Sequence, residues 1–390
     1  MKNLSISIIG FGAAGTSVFV QLIKKLESKK IVGQNLIINI FEKENKLTRG
    51  IAYSSDQPSS LLNTKVNRSS IFGDGSSHFF NWVKKNIHTL SEIYPDLSNL
   101  SEDSFLPRSL FGMYLDQTFE YYANVAKNLN IKVNILMDEV IDIVEEECNT
   151  FLYTKTGHKL ITNKIIFSTG HIYSSTFKKF ENVSNFFNTP YPESTVLNSI
   201  SKEKNILIIG SRLTAIDLAM AFLSKQHKGK ITLASRSGLM PMIRSEPFNY
   251  TPKFISPATI KKNINLDNII TLLQAEFQHL YADQPFSSPL KESGCRNDFI
   301  NEYFDTMNHL SHWQNLASMF DEFIEACWVN IADNERMTFI EKFLPLLTRY
   351  TATIPHETAS LIIKHFLSNQ LLLENSLLNI NGTTLSLSIF

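Results

Sequence analysis

The stretch LSISIIGFGAAGTSVFVQLIKKL, from Leu4 to Leu26, most constrains what this chain can fold into. Ile6, Ile8 and Ile9 favour a strand, and an apolar helical pattern follows through Leu26. Between them lies Gly10-Phe11-Gly12-Ala13-Ala14-Gly15, whose three glycines answer three needs. Gly10 permits a tight turn, Gly12 lets backbone approach a pyrophosphate, and Gly15 lets the helix pack closely on the strand. Free amides at the helix start then face the phosphates. The same run could be misread as a secretory signal with Lys2 as its basic end, but the glycines interrupt it and the isoleucines oppose a helix. No run of eighteen apolar residues occurs elsewhere, so no membrane span is expected.

A second strand, Leu36 to Phe41, ends at Glu42, an acid placed to accept hydrogen bonds from a ribose diol. Glu42 lies farther along than the usual spacing of about 20 residues. A longer helix and the polar loop around Lys29 to Asn35 account for the excess. At 390 residues the chain can hold two domains, or one domain inserted into another. Lys plus Arg equals Asp plus Glu at 37 each, so no net field favours nucleic acid or an anionic membrane. Cys148, Cys295 and Cys327 are far apart and form no CxxC. That excludes a disulfide scaffold, a zinc ribbon and a dithiol redox pair, and it suits a reducing compartment.

The stretch NILIIGSRLTAIDLAM, residues 205 to 220, repeats the strand, turn and helix order with a change. Gly210 opens the turn and Ala215 is small enough for close packing, but Arg212 stands where the second glycine belongs. Arg212 either blocks the pyrophosphate path or folds outward and adds a charge-assisted contact to phosphate. The following strand, Ile231 to Ala234, ends in Ser235-Arg236 with no acid for a free 2′-hydroxyl. Arg236 can instead pair with a 2′-phosphate, which favours NADPH over NADH. The surviving motif favours a modified nucleotide site over a lost one.

Taken together, GFGAAG, GIAYS, LLNTKVNRSS, PRSLFGMYL, FSTGH, TPYP, IIGSRLTAIDLA, ITLASRSGLMP and LPLLTRYTATIPHETA resemble a bacterial family of FAD/NAD(P)-binding proteins. That family is related to flavin monooxygenases, including the N-hydroxylating enzymes. The resemblance implies an α/β fold with two Rossmann-like dinucleotide-binding domains plus a helical insertion. Residues 1–190 would begin the FAD domain, 191–250 would form the NAD(P)H part, 251–345 a helical cap, and 346–390 a shortened return to the FAD domain. It implies FAD contacts at Gly10, Gly12, Ala13, Ala14, Gly15, Glu42, Tyr53, Leu62, Asn63, Arg108, Thr169 and Gly170. Gly210, Ser211, Arg212, Thr214 and Arg236 would hold NADPH.

The activity implied is that of a cytoplasmic, NADPH-dependent flavoprotein monooxygenase acting on a small amine or other soft nucleophile. Its rivals are a flavin reductase or dehydrogenase without oxygen insertion, and a degenerate flavoprotein serving as a scaffold. No side chain stands out as a general acid or base, and no G-x-S-x-G supports hydrolysis. His309 and His312 have a metal-compatible spacing but no third ligand nearby, and read as surface histidines, so no metal is expected. LLLENSLLNI and TTLSLSIF read as a hairpin across Asn381-Gly382. The expected glycine-containing turn near the flavin ring is missing there, so a partner protein is expected to complete that site.

Overall fold

The computed structural model describes residues 4–33, 35–54, 60–146, 149–170, 175–245, 250–256, 259, 265–281, 293–307, 314, 316–317, 324, 328–375, 377–381 and 386–389. The chain divides into two compact units, Met1–Ser199 and Ile200–Phe390. Among the described residues no helix is long and apolar enough to cross a membrane.

The first unit is built on a four-stranded parallel sheet. Its strands are β1 (Leu4–Ile9), β2 (Leu36–Phe41), β3 (Lys132–Leu136) and β7 (Lys164–Phe167), in the order β3-β2-β1-β7. The first two strands have the bounds expected from the sequence. Alternation along them creates two unlike faces. Ile8, Ile38 and Ile40 point into a core with Phe19, Val20 and Ile23 of helix α1 (Ala13–Ser28). Leu115 and Phe119 of the helix Arg108–Asn128 complete that side.

The other face carries a polar network that satisfies itself. Ser7 donates to Thr162 Oγ1 at 2.9 Å, Asn39 Nδ2 to Ser5 Oγ at 3.0 Å, and Asn134 Nδ2 to Asn39 Oδ1 at 2.8 Å. Thr162 belongs to an antiparallel meander that the sequence did not announce, β4 (Val140–Glu146), β5 (Asn149–Thr154) and β6 (Lys159–Thr162). Ile9, Phe41 and Leu152 form a smaller apolar cluster between meander and sheet. The helix Glu193–Ser199 also falls in this unit, so the boundary lies at Ser199 and not at residue 190.

The second unit holds a three-stranded parallel sheet, β8 (Ile206–Ile209), β9 (Ile231–Ala234) and β10 (Leu371–Glu374), ordered β10-β9-β8. The helix Leu213–Ser224 connects β8 to β9. The helices Leu266–Leu280 and Arg296–Met307 lie within the stretch expected to be helical. Residues 346–390 depart from expectation. Leu371 pairs with Ile231 and Glu374 with Ala234, so among the described residues this segment completes the second sheet and adds no strand to the first. Leu371 is fully buried, which explains the preference for an interior position. A hairpin does follow, but it joins β11 (Leu377–Asn381) to β12 (Ser386–Ile389) without the LLLE stretch. Its turn, with Gly382, lies outside the described residues, as do Cys148, Cys327, His309 and His312.

Candidate dinucleotide sites

The turn after β1 has the geometry its glycines suggest, with neighbours the sequence did not reveal. Gly10 adopts φ +85° and donates its N–H to Phe41 O at 2.9 Å. A Cβ at Gly10 would fall 2.4 Å from Ser168 O, so the end of β7 presses directly on the turn. At Gly15 it would fall 2.3 Å from Gly10 O, the close helix–strand packing expected. The first helical bond of α1 runs from Thr16 N–H to Gly12 O at 2.9 Å. The amides of Ala13, Ala14 and Gly15 therefore have no acceptor within the helix.

Glu42 is buried at the end of β2 and braces this turn. Its Oε2 accepts the Phe11 N–H at 2.7 Å and its Oε1 the Glu44 N–H at 3.0 Å. Each oxygen keeps a second lone pair for a ribose hydroxyl.

The space beside Gly12 has a protein occupant. A Cβ there would lie 3.0 Å from Gly50 Cα, and Gly50 itself has φ +59°. Backbone thus packs on backbone at the point where the sequence led us to expect a pyrophosphate. A phosphate approaching Gly12 must lie beside Gly50 and share that surface. Gly50 begins helix α2 (Gly50–Tyr53) and was missed as a site residue, although it sits in the quoted GIAYS motif.

The preceding loop is anchored by Thr48 N–H to Phe11 O at 2.7 Å and by Arg49 Nε to Asp116 Oδ2 at 2.8 Å. A cavity of about 490 Å³ opens beside it, lined by Lys46, Thr48, Arg49, Ser54, Asp116 and Glu120 among others.

The other expected contacts gather at the start of the helix Arg108–Asn128. Tyr53 packs on Phe111 with ring centroids 4.9 Å apart, and a Cβ on Gly112 would strike Tyr53 O. Arg108 donates its N–H to Ser60 O at 2.8 Å and its Nε to Leu61 O at 3.0 Å, and Leu62 N–H reaches Leu106 O at 2.8 Å. Asn63 follows, half-buried. Thr169 lies against Gly10. Gly170 has φ +72° with open space where a Cβ would project.

In the second unit Gly210 donates to Ala234 O at 2.8 Å, and the first bond of the helix Leu213–Ser224 runs from Ile216 N–H to Arg212 O at 3.1 Å. The amides of Leu213, Thr214 and Ala215 remain without an acceptor in the helix. Thr214 is exposed in this first turn. Ser211 is buried, and its hydroxyl contacts Leu239 O at 2.8 Å and Ser235 Oγ at 2.9 Å. Only its backbone is left to face a ligand.

Arg212 has a protein partner that the sequence did not foresee. Its Nη2 donates to Pro345 O at 3.1 Å, on the helix Leu344–Thr351 of the same unit. Its Nη1 is buried without a partner among the described residues. Burial, and then the nearby Arg349, push its pKa below the ordinary arginine value. Arg349 is itself committed to Glu302 at 2.7 Å and Met240 O at 3.0 Å. Arg236 is exposed at the end of β9 and makes no hydrogen bond or ion pair among the described residues.

Residues 7–172 match the FAD-NAD(P)-binding family. No curated protein matches the chain in sequence. Among solved structures the chain is similar to the ornithine N-hydroxylase of Kutzneria sp. 744, with 12% identity over 79% of this chain and 69% of that one, at TM-score 0.46. The ornithine hydroxylase of Pseudomonas aeruginosa gives 13% identity over 85% and 71%, at TM-score 0.44. The bacillithiol disulfide reductase of Staphylococcus aureus gives 18% over 67% of this chain, at TM-score 0.36, and there the match spans 62% of the relative's length.

Proposed function

We propose, from the premise that residues 7–172 are an FAD-NAD(P)-binding domain, that this chain is a flavin-dependent oxidoreductase. Its first unit would hold FAD and its second NADPH, and the reaction would be monooxygenation of a small amine or other soft nucleophile. The observation that carries the reading is the first turn. Three free amides, two stacked glycines and the lone pairs of Glu42 meet there at the ends of β1 and β2. A pyrophosphate satisfies the amides, and a ribose diol satisfies the carboxylate. Bound FAD would supply two-electron transfer from nicotinamide to oxygen, which no side chain can provide. The residues named here bind and orient it.

The absorbance spectrum of the purified protein, before and after anaerobic NADPH, tests this reading. A flavin band that bleaches is expected, followed in air by one hydroxylated product per NADPH. A colourless protein that takes up no added FAD would reject it.

The second turn supports NADPH through two groups. Arg236 is exposed at the strand end and has no hydrogen-bond or ion-pair partner among the described residues. Arg236→Ala removes one ionic hydrogen-bonding group, worth about 1.5–3 kcal/mol. The preference for NADPH over NADH should shrink by roughly one to two orders of magnitude, read from kcat/KM for each nucleotide. An unchanged ratio would remove Arg236 from the site.

Arg212 is the second group. Its buried Nη1, without a partner among the described residues, is a donor that a phosphate oxygen would satisfy, and a second guanidinium nearby adds to the local positive charge. Arg212→Gly restores the consensus turn, yet should weaken NADPH binding by about 1–3 kcal/mol. One observation favours a different reading. The Pro345 contact ties Arg212 to a helix of its own unit, as in a turn that has given up nicotinamide. In that case the glycine variant would bind NADPH more tightly, and titration separates the two by sign.

A further inference from the structure

Glu193 belongs to none of the binding motifs, yet it is a carboxylate only 3% exposed in the first unit. Both of its oxygens receive the hydroxyl of Ser60, at 3.0 and 2.9 Å. Ser60 is equally buried, and its carbonyl accepts the Arg108 N–H at 2.8 Å. Leu61 then forms an antiparallel bridge with Pro107, and its carbonyl accepts Arg108 Nε at 3.0 Å. The first turn of the helix Arg108–Asn128 is thus clasped by Ser60 and Leu61, and Ser60 is clasped by Glu193.

The same helix start touches the fingerprint by another route. Gly50 lies on Gly12, α2 runs from Gly50 to Tyr53, and Tyr53 rests on Phe111 and Gly112. The segment from Ser60 therefore borders a continuous surface that begins at the phosphate-binding turn. Carboxylate acceptors hold a hydroxyl more firmly than neutral ones, and burial removes competing water. A buried carboxylate is also a poor means of adding stability compared with an apolar side chain of similar size. Its use here suits the fixing of a position.

We propose that Glu193 is a positioning residue for the flavin. By gripping Ser60 it sets where Ser60–Asn63 stand against Arg108, and so sets the wall of the cofactor site beyond Gly12 and Gly50. This rests on the reading of the first unit as an FAD site.

The test compares the full-length wild type with Glu193→Ala, Glu193→Gln and Ser60→Ala. FAD dissociation constants come from quenching of flavin fluorescence, and the shape of the bound flavin band from absorbance. Far-UV circular dichroism of the FAD-free chain controls for folding. Both alanine variants should bind FAD at least tenfold more weakly and lose the fine structure of the band. Glu193→Gln should recover most of both, because its amide oxygen still accepts the Ser60 hydroxyl. If Glu193→Ala fails to fold, Ser60→Ala decides alone. Folded alanine variants with wild-type affinity and band shape would overturn the proposal, as would a folded Glu193→Gln as impaired as Glu193→Ala. A wild type that takes no FAD would reject the flavin reading itself, and the proposal with it.

Discussion

Gly12→Val is expected to give a folded protein that purifies without flavin. The first added carbon would lie 3.0 Å from Gly50 Cα and 3.4 Å from Gly50 N, and the two γ-carbons of valine extend that clash. Gly50 cannot yield freely. It holds a positive φ, and the loop before it is tied through Thr48 to Phe11 and through Arg49 to Asp116. Either Gly50 lifts away or the start of α1 rotates, and both separate the phosphate-binding amides from the surface they share. Gly12 lies at the end of the sheet and only half-buried, so overpacking costs the fold about 1–3 kcal/mol. The cofactor should lose about 3–5 kcal/mol, or roughly 10²- to 10⁴-fold in affinity. The flavin-to-protein absorbance ratio, measured beside a thermal midpoint, reads both effects. Full flavin occupancy in the variant would show that this turn is not the FAD site.

What the sequence revealed and what it hid divide along a physical line. Features set by local pattern were legible: the alternation of LSISII, the glycine spacing, the acid closing the second strand, and the helix after Gly210. Features set by contacts between distant segments were not. Nothing in GIAYS announces that Gly50 rests on Gly12, because that contact depends on the path of the loop between them. Nothing around Arg49 announces its partner Asp116, which comes from the helix Arg108–Asn128. LLLE could be read as a strand, but its neighbour could not. The Asn381-Gly382 turn signal drew it into a hairpin, whereas burial of Leu371 beside Ile231 placed it in a parallel sheet. Arg212 was framed by its motif, as a blocker or a phosphate ligand. Pro345, far along the chain, offered it a third partner. The meander was obscured by its composition, since DEVIDIVEEECNT carries enough charge to mask a strand pattern.

Glu276→Ala should cost the second unit about 3–5 kcal/mol. Glu276 is fully buried on the helix Leu266–Leu280. It accepts the N–H groups of Lys253 at 2.9 Å, Phe254 at 2.8 Å and Ile255 at 3.0 Å, and also the hydroxyl of Tyr250. One carboxylate therefore pins a whole loop, and Ile255 carries that loop into a core with Leu266, Ile269 and Ile331. Removing it takes the acceptor from three backbone donors, and the buried Ile255 N–H bears its full desolvation cost, whereas water can reach those of exposed Lys253 and half-buried Phe254. Burial alone would raise the Glu276 pKa, but the bonds from Lys253, Tyr250, Phe254 and Ile255 outweigh it and hold the group below the usual glutamate value. Tyr250 is pushed up to about 12, by burial and by its bond to Glu276, and remains a donor throughout the accessible range. The sign of the pH dependence follows from the lowered pKa of the carboxylate. Its contribution is complete above the unfolded-state value of about 4.3 and is lost as pH falls below that through the folded value. Calorimetry at pH 7 should show the transition of the second unit lowered by on the order of 10 °C in the alanine variant. The gap from wild type should narrow as the pH falls below the unfolded-state value, where the unfolded chain takes up the proton first, and on through the lower folded value. Glu276→Gln keeps the shape but turns an NH₂ group toward N–H donors, so it should fall between the two. A gap that stays constant across that pH range would mean that packing, and not the ionised carboxylate, holds the loop.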